Sequence, residues 1–598
     1  MLVADELLKG KIPGAETGIS VRKSICTICD PQTQCGLDVY VKDEIAVKVE
    51  GSKENPHSQG TLCSKGAATR QYVYHTDRIK TPLKRIGDKG SGEFQPISWD
   101  EALDTVAEKL NNHKAKSGPE SVIFFAGYTK WMRLLLHRLA HSFGSPNYCT
   151  ESSTCMRAMA MAWNLVFGTP AGPDIKNAAC VLVWSANPFY SNTCLTSRLM
   201  DAKELGTKFI VVDPRLTPTA AMADIHLQLK PGTDGALALG MANVIINEGL
   251  YDQAFVAEHT HGFNEYREYV SLFTPEYAAE LTGVPADKIC AAARMYAVTK
   301  PAAFMPSAAP VVHHTNGVQN YRAAMSLIAL TGNYDIPGGN IVMPKGYLQV
   351  SSGFSTRDHE FAMSKAWDEM APRVGQQRFP LWCDLVDEGQ SMDIPRQIVS
   401  GTPYPINAIM AFGMNYRMWP DSEGFLETLK KLDFFVNVDL FMTDTCKYAD
   451  IVLPASSSIE RSELRCYPQN YIIFTQPAIE PLYDSRSDAD IIFELARRLK
   501  LKDPLFDAGY EAALDWILEP AGLTIGELKK RPGGMSIPNP IKQEARKYLQ
   551  GGFKTPTGKV EFVSKMLEKY SQSHGYDSYS ASRLRELPCA KLHEKLPE

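Results

Sequence analysis

Apolar runs alternate with helical stretches through most of this chain, and each run ends in small or polar residues. Three such runs follow one another in "AACVLVWSANP", "TKFIVVDPRLTP" and "DIHLQLKPGTDG", and others occur in "ESVIFFAGYT", "INAIMAFGMN" and "DFFVNVD". Buried strands that alternate with helices form parallel sheets with crossover connections. We therefore predict an α/β protein of several domains. Its 598 residues suffice for about four of them.

Two local signals place helices between these strands. Ser98 is a good cap for a helix that begins at about Trp99, where apolar residues recur at helical spacing. The stretch "KWMRLLLHRLAHSFG" reads as a second helix, and Gly144 is expected to end it.

The residues at the ends of the predicted strands suggest a ligand. In open α/β sheets, ligands bind beyond the carboxyl ends of the strands. Several such ends in one chain predict a large or doubled nucleotide cofactor. The chain has no G-x-G-x-x-G opening a first βα unit and no G-x4-G-K-[ST], so neither an ordinary NAD site nor a P-loop is expected. The strand-end residues are Asn187, Asp213, Arg215, Gly232, Thr233, Asp234, Gly413 and Asn415.

Four cysteines near the N-terminus follow the pattern C-x2-C-x5-C-x27-C. They are Cys26, Cys29, Cys35 and Cys63. The first three can wrap one inorganic core, and the fourth can complete a tetrahedral set. Four thiolates suit either zinc or a cubane 4Fe–4S cluster. Zinc ribbons usually carry a second C-x2-C knuckle, which is missing here, so the pattern favours the cluster and leaves zinc as the alternative.

Composition limits the partners and the compartment. The formal net charge is −5 with no long run of one sign, which weighs against nucleic acid or an anionic membrane as the main partner. No apolar stretch approaches the ~20 residues that span a bilayer, so no membrane span is expected. The N-terminus has neither an apolar signal core nor a twin arginine, which predicts a cytoplasmic location. The thirteen cysteines are then expected to be thiols or metal ligands.

Seven stretches, in one order between about residues 20 and 565, resemble the molybdopterin oxidoreductases of the dimethyl sulfoxide reductase family. They are "CTICDPQTQC" with "LCSKG", "FQPISWDEALD", "WSANP", "VVDPRLTPTAAMADIHLQLKPGTDG", "HHTNGVQNYRAAMSLIALTGNYDIPGGN", "MTDTCKYADIVLPA" and "TPTGKVEF". The resemblance implies one molybdenum or tungsten ion between two molybdopterin guanine dinucleotides, with a 4Fe–4S cluster close by. It also implies a small N-terminal Fe–S domain and two doubly wound α/β dinucleotide-binding-like domains.

The resemblance divides the chain as follows. We expect the 4Fe–4S domain in residues 1–80, a discontinuous α/β domain in 81–150 and 345–490, and an α/β domain that binds one pterin dinucleotide in 151–344. Residues 491–598 form a C-terminal segment. Members of the family normally end in a β-barrel that covers both pterins, and alternating strand patterns are absent from this tail. We therefore expect the barrel to be missing here and to be supplied by a separate small subunit.

The resemblance also implies roles for single residues. Cys149 and Cys155 are the candidates for a side-chain ligand to the metal, and Cys155 stands where the family's ligand falls. A soft thiolate suits such a centre, although a free cysteine is often a buried apolar group. Lys65 resembles the lysine that assists electron transfer between cluster and pterin, and His314 and Gln319 resemble residues bordering the metal. One dinucleotide is expected to contact Asn187, Asp213, Arg215, Gly232, Thr233 and Asp234, and the other Gly413, Asn415 and Thr443.

Two functions remain open. In the first, the chain is the catalytic subunit of an oxidoreductase acting on a small organic or sulfur compound. Because it lacks NAD and flavin motifs, it would pass electrons to a ferredoxin-like protein. Met156 follows Cys155 where formate dehydrogenases place a histidine, which makes formate a less expected substrate.

In the second function, the chain is a non-redox hydratase of the acetylene hydratase type. That enzyme uses an aspartate directly after a cluster cysteine, and Asp30 follows Cys29 here. A desolvated carboxyl has a raised pKa and can act as a general acid. The alternative role of Asp30 is to accept backbone N–H bonds in the turn at Pro31. A zinc-bearing scaffold protein is the third class considered.

Overall fold

The computed structural model describes residues 12–29, 34–128, 131–307, 311–314, 316–342, 357–467, 471–537 and 544–574. The chain forms two compact units. The first comprises Met1–Glu151, Lys345–Gln377 and Glu388–Ile541, and the second comprises Ser152–Pro344, Arg378–Asp387 and Lys542–Glu598. The predicted domain limits at residues 80, 150, 344 and 490 stay predictions. No helix of the described ranges combines the length and apolarity that crossing a membrane requires.

The strands are short, and those at the centre of the larger sheets are almost fully buried. In chain order they are β1 (Ser20–Ile25), β2 (Gly36–Lys42), β3 (Ile45–Gly51), β4 (Leu83–Arg85), β5 (Phe94–Pro96), β6 (Val122–Ala126), β7 (Tyr148–Thr150), β8 (Gly172–Pro173), β9 (Cys180–Trp184), β10 (Lys208–Val212), β11 (Ile225–Leu227), β12 (Thr260–His261), β13 (Ala302–Pro306), β14 (Asn340–Ile341), β15 (Ala408–Phe412), β16 (Phe434–Asp439), β17 (Ile451–Pro454), β18 (Glu463–Tyr467), β19 (Tyr471–Thr475), β20 (Met535–Ser536) and β21 (Val560–Glu561).

Helices separate most of the parallel strands. In chain order they are α1 (Ser64–Ala67), α2 (Thr69–Val73), α3 (Trp99–Ser117), α4 (Arg133–Phe143), α5 (Arg157–Phe167), α6 (Pro188–Ser191), α7 (Thr193–Glu204), α8 (Pro218–Ala221), α9 (Asp234–Asn247), α10 (Gln253–His259), α11 (Phe263–Val270), α12 (Pro275–Thr282), α13 (Ala286–Val298), α14 (Gly317–Thr331), α15 (Asp358–Ala362), α16 (Pro380–Leu385), α17 (Ile394–Ser400), α18 (Ser422–Leu429), α19 (Asp488–Arg498), α20 (Pro504–Ala508), α21 (Tyr510–Leu518), α22 (Ile525–Lys529), α23 (Tyr548–Gly551), α24 (Lys565–Lys569) and α25 (Ser571–His574).

A seven-stranded sheet in the order β5-β4-β17-β16-β15-β6-β7 forms the centre of the first unit. Its strands β17, β16, β15, β6 and β7 are parallel, and β4 and β5 pair antiparallel at one edge. Chain order runs from β6 to β7 toward one edge and from β15 to β17 toward the other. The switch between β6 and β15 is where a doubly wound sheet opens its ligand crevice.

Both faces of this sheet are covered, which is why its strands read as continuous apolar runs. Met410 and Val436 lie on the face that packs with Leu495 of α19. The alternate residues Ile409 and Phe435 lie in a second cluster on the opposite face. A three-stranded antiparallel sheet, β1-β2-β3, precedes the large sheet in the same unit and carries the cysteine segments at its ends.

The second unit has its own parallel sheet, in the order β11-β10-β9-β13. Helices α9, α13 and α14 contribute Leu237, Ala292 and Leu327 to the core on one face. Phe209 and Val211 of β10 lie in a smaller cluster on the other face. The α/β class predicted from the sequence is therefore confirmed, with two separate parallel sheets.

Candidate cofactor and metal sites

The segment that carries the predicted cluster ligands begins where β1 ends. Cys26 is buried, and Cys29, Cys35 and Cys63 are half-buried. The Cys26 N–H donates to the Cys35 carbonyl oxygen at 2.9 Å, which ties the two ends of the loop together. Cys63 directly precedes α1. Asp30, between the second and third cysteines, lies outside the described residues.

Three of these cysteines interact electrostatically. The pKa of the Cys26 thiol is raised to about 11, mainly by burial and also by the charges of Cys29 and Cys63, while the exposed Lys65 acts to lower it. Thiolates so close together are unfavourable until a cation binds them. No three His, Cys, Asp or Glu side chains of the described ranges surround a common ion position. A cubane cluster does not require such a group, because each thiolate binds a different iron.

A cavity of about 350 Å³ lies at the carboxyl ends of β6, β15, β16 and β17 in the first unit. Its wall includes Cys29 of the predicted cluster ligands and Gly413, which follows β15. The chain also approaches itself closely there, because a Cβ on Gly127 would overlap the Gly413 carbonyl group. The full lining is Thr27, Ile28, Cys29, Gln34, Tyr72, Tyr128, Trp131, Phe412, Gly413, Val438, Asp439, Leu440, Ala455, Ser456, Ser457, Ser458, Arg461, Arg465 and Asp488.

Several polar atoms in this wall have no hydrogen-bond partner among the described residues. They include the hydroxyls of Ser456 and Ser457 and the Nη1 atom of Arg465, and these three residues are only 2%, 1% and 2% exposed. An unsatisfied buried polar group costs about 1–3 kcal/mol. The cavity is therefore built for a ligand rich in hydrogen-bond acceptors.

Two arginines lie in the cavity wall. Arg461 donates to the Ser456 carbonyl oxygen at 2.6 Å, and its guanidinium lies 4.6 Å from the Trp131 ring centroid. Glu463 lies between the arginines, with an ion pair to Arg461 at 3.2 Å and another to Arg465. The same wall also contains the carboxyl groups of Asp439 and Asp488, so it offers charges of both signs to a ligand.

The other two residues predicted at this strand edge stabilise local turns. The Asn415 side chain accepts the N–H of Arg417 at 3.1 Å, and the Thr443 hydroxyl donates to the Cys446 sulfur at 3.3 Å. Neither is in the cavity wall. Their predicted contacts with a dinucleotide stay predictions.

Polar residues also gather at the carboxyl edge of the sheet in the second unit. Asn187 follows β9 and accepts from the Thr219 hydroxyl at 2.8 Å, while its Nδ2 atom is buried and has no hydrogen-bond partner in the part of the chain that the structure describes. Asp213 accepts the N–H of the exposed Arg215 at 2.8 Å. These residues lie at one edge of the sheet, and their predicted contacts with a dinucleotide stay predictions.

The next turn of the same edge leads into α9. Gly232 has φ +84°, a conformation that glycine adopts without strain. The Thr233 hydroxyl donates to the Lys230 carbonyl oxygen at 2.7 Å. Asp234 accepts from Trp184 Nε1 at 2.8 Å, and burial raises the pKa of its carboxyl.

Cys155, the predicted metal ligand, lies in the turn before α5. It is half-buried, and its N–H donates to the Ser152 carbonyl oxygen at 3.1 Å. Burial raises the pKa of Tyr321, and the charges of Asp234 and Cys155 raise it further. His314 acts on the Asp234 carboxyl by lowering its pKa. The structure therefore brings Cys155 and His314 to one region of the second unit.

The two remaining candidates have structural contacts. Gln319 accepts from Arg322 at 2.7 Å. Cys149 is fully buried in β7, and an added Cβ on Gly389 would lie 2.7 Å from its sulfur. Cys149 therefore packs in the core of the first unit, as expected for a structural cysteine.

These features define a class: an α/β protein with a cysteine-lined loop and a polar cofactor cavity at a strand switch. Comparison with known families then identifies it. Residues 78–498 match the model of molybdopterin oxidoreductases, and residues 19–75 match that of the molybdopterin oxidoreductase Fe4S4 domain. The chain belongs to the molybdopterin oxidoreductase family and is an enzyme. Its cofactors are a 4Fe–4S cluster and molybdopterin with molybdenum or tungsten, so the cluster is favoured over zinc.

Three relatives illustrate the range of the family. The chain is 30% identical to the probable oxidoreductase YoaE of Bacillus subtilis, over 92% of this chain and 78% of that protein. It is 30% identical to the F420-dependent formate dehydrogenase 1 subunit alpha of Methanococcus maripaludis, over 80% and 70%. The solved structure of acetylene hydratase from Pelobacter acetylenicus matches with TM-score 0.81 and 28% identity, over 96% of this chain and 81% of that one.

The cavity in the first unit fits molybdopterin. The phosphate and the ring carbonyl of that cofactor are acceptors, and the three unpartnered groups of Ser456, Ser457 and Arg465 are donors. These residues were not predicted from the sequence. The sequence pattern that could have predicted them is "PASSSIERSELR", a stretch rich in serine and arginine that begins at the carboxyl end of β17.

Proposed function

We propose that this chain is the catalytic subunit of a molybdenum or tungsten oxidoreductase with two molybdopterin guanine dinucleotides. Electrons pass between its metal site and its 4Fe–4S cluster, and its substrate is a small organic or sulfur compound. One observation carries the proposal. Cys29, a proposed cluster ligand, lines the same cavity as the donors of Ser456, Ser457 and Arg465. A cofactor bound there would be close to the cluster.

Each side chain has a separate role in the proposed function. Cys26, Cys29, Cys35 and Cys63 hold the cluster, and Cys155 binds the metal, which supplies reversible redox chemistry when bound. Lys65 places a positive charge beside the Cys26 thiol, which favours an added electron. Arg461 and Arg465 compensate anionic charge in the cavity, and the buried wall excludes water, which strengthens these interactions.

Further cofactor contacts are proposed for the strand edges. The first unit contributes Gly413, Asn415 and Thr443. In the second unit, Gln319 and His314 border the metal. The guanine dinucleotide of that unit contacts Asn187, Asp213, Arg215, Gly232, Thr233 and Asp234.

The proposed enzyme works with other proteins. The chain lacks NAD and flavin motifs, so a ferredoxin-like carrier would exchange electrons with its cluster. The formate dehydrogenase relative is named as subunit alpha, which supports a multi-subunit assembly. A separate barrel subunit stays a prediction.

A second candidate function is hydration without electron transfer. The similarity to the solved acetylene hydratase over 96% of this chain favours it, as does the position of Asp30 directly after Cys29. In this alternative the Asp30 carboxyl gives a proton to the substrate. General acid catalysis of this kind contributes about 10²–10⁴-fold. Asp30→Asn should therefore reduce turnover by that factor in a hydratase, whereas in an oxidoreductase with a structural Asp30 the dye-coupled rate should stay nearly unchanged.

Electron balance during turnover separates the two functions. Holoenzyme is incubated with candidate substrates and a viologen dye, and product and dye are both measured. The redox function predicts dye consumption in fixed proportion to product. Product formed without any dye change would overturn it and support hydration.

A lysine variant tests the electron path. Lys65→Met should keep the cluster absorbance but slow the dye-coupled rate, because it removes the charge beside the cluster. Lys42→Met, on an exposed residue at the end of β2, is the matched control and should retain the original rate. Equal rates in both variants would contradict the role of Lys65.

A further inference from the structure

Two carboxyl groups in the cavity wall are not used by the proposed function. Asp439 is the last residue of β16, and Asp488 is the first residue of α19. Both line the cavity in the first unit. Asp439 accepts the Leu440 N–H at 2.7 Å, and Asp488 accepts from Trp131 Nε1 at 3.0 Å.

The charges around the pair do not neutralise it. Arg461 lowers the pKa of Asp488, but this arginine already pairs with Glu463, and Glu463 and Asp490 both raise that pKa. Asp488 in turn raises the pKa of Asp439. The other ionisable groups of the wall are Cys29, Tyr72, Tyr128 and Arg465, and the Cys446 thiol also interacts with Asp439.

Burial is the main cause of an elevated pKa in both groups. It raises the pKa of Asp439 and of Asp488 to about 6 each, far above the usual value of about 3.9. Each carboxyl is therefore ready to bind a proton near neutral pH. Additional negative charge in a low-dielectric cavity would raise both values further.

We propose that Asp439 and Asp488 form an acid pair that takes up a proton when an electron enters the cofactors of this cavity. The inference rests on the proposed redox function. The electron comes from a one-electron carrier and adds one negative charge. One carboxylate binds one proton from solvent and becomes a carboxylic acid, so the net charge of the cavity does not change. When the electron leaves, the O–H bond breaks and the proton is released.

Protons counted during reduction test the pair. Holoenzyme is reduced at an electrode through a viologen mediator in weakly buffered solution, with a pH indicator present and the cluster absorbance recorded. The wild-type enzyme should take up protons as reduction bleaches the absorbance of the cluster. Uptake should be largest near neutral pH and should vanish well below pH 6, where both groups are already protonated.

Amide substitutions locate the uptake. Asp488→Asn should remove at least half of it, and Asp439→Asn with Asp488→Asn should abolish it. Both amides keep an oxygen acceptor for Trp131 and Leu440. Asp507→Asn is the matched control, because Asp507 is an exposed aspartate of α20 and its loss should leave uptake unchanged.

Three outcomes would overturn the inference. Full uptake in the double variant shows that the proton goes elsewhere. If the cluster of the wild-type enzyme bleaches without proton uptake, the acid pair is refuted but the redox function is not. If the cluster accepts no electron, the redox function is refuted as well. If the variants do not fold, infrared difference spectra of the original enzyme decide, since the pair must produce a carboxylic acid band on reduction.

Discussion

The main sheets of the two units differ in how the polar groups at the carboxyl ends of their parallel strands are hydrogen-bonded. At the edge in the first unit, the hydroxyls of Ser456 and Ser457 and one nitrogen of Arg465 are buried without partners among the described residues. At the edge in the second unit, Asp213 and Asp234 accept internal hydrogen bonds at 2.8 Å, and Asn187 Nδ2 is a buried donor without such a partner. The first edge therefore leaves more of its polar groups for a ligand than the second edge does.

The largest effect is expected from Cys29→Ala. Loss of one thiolate should remove the cluster and destabilise the first unit, because a bound cluster also holds its loops together. Cluster absorbance and thermal unfolding measure both effects. Cys290→Ala, at a half-buried cysteine of α13, is the control. An intact cluster in the Cys29 variant would show that a different residue binds it.

Cys155→Ala probes the second unit in the same way. Turnover should fall by orders of magnitude while the cluster absorbance stays, since the proposed cluster ligands are elsewhere. X-ray absorption at the metal should lose one sulfur ligand. An unchanged sulfur count would place the ligand elsewhere, and the same measurement on Cys149→Ala would then test the other candidate.

The pH dependence of stability tests the buried charge in the first unit. The pKa of Asp488 is about 6 in the folded protein and about 3.9 in an unfolded chain. The folded state binds more protons between these values, so stability should fall as pH rises from about 4 to 6. The fall is about 3 kcal/mol at most for this group. Asp488→Asn should flatten the profile of cofactor-free protein, and an unchanged slope would refute the buried charge.

The smallest effects have opposite signs in the two units. Ser457→Ala removes an unpartnered hydroxyl, so cofactor-free protein should become more stable by about 1 kcal/mol, while the holoenzyme loses cofactor about tenfold faster. Thr219→Val breaks an internal hydrogen bond in the second unit and should lower stability by about 1 kcal/mol. Thermal unfolding and cofactor release measure both. Equal signs would remove the distinction between the edges.

Local patterns were sufficient to predict the elements. The run "ESVIFFAGYT" contains β6, Ser98 caps α3 by accepting the Glu101 N–H at 3.1 Å, and Gly144 ends α4 in the left-handed conformation. Each of these depends on neighbours within a few residues. The carboxyl ends of the parallel strands could be predicted for the same reason.

The cavity wall could not be predicted from local patterns. Asp488 has the appearance of an ordinary acid in the first turn of a helix, capped by Ser487. Arg465 reads as a strand arginine that would extend into solvent. Both residues line the cavity because β18 and α19 lie close to the ends of β16 and β17 in space. A single sequence does not show which distant segments come together in this way.

The pairing of β6 with β15 has a consequence for biosynthesis. Residues 122–126 of one strand bond to residues 408–412 of the other, and most of the second unit is synthesised between them. At a synthesis rate of about 5–20 residues per second, the edge of β6 that pairs with β15 stays unpaired for a time on the order of tens of seconds. The sheet of the second unit, which uses residues 180–306, can form during this interval. The nascent chain therefore needs shielding of β6 until β15 leaves the ribosome, and the cavity for the cofactor can form only afterwards.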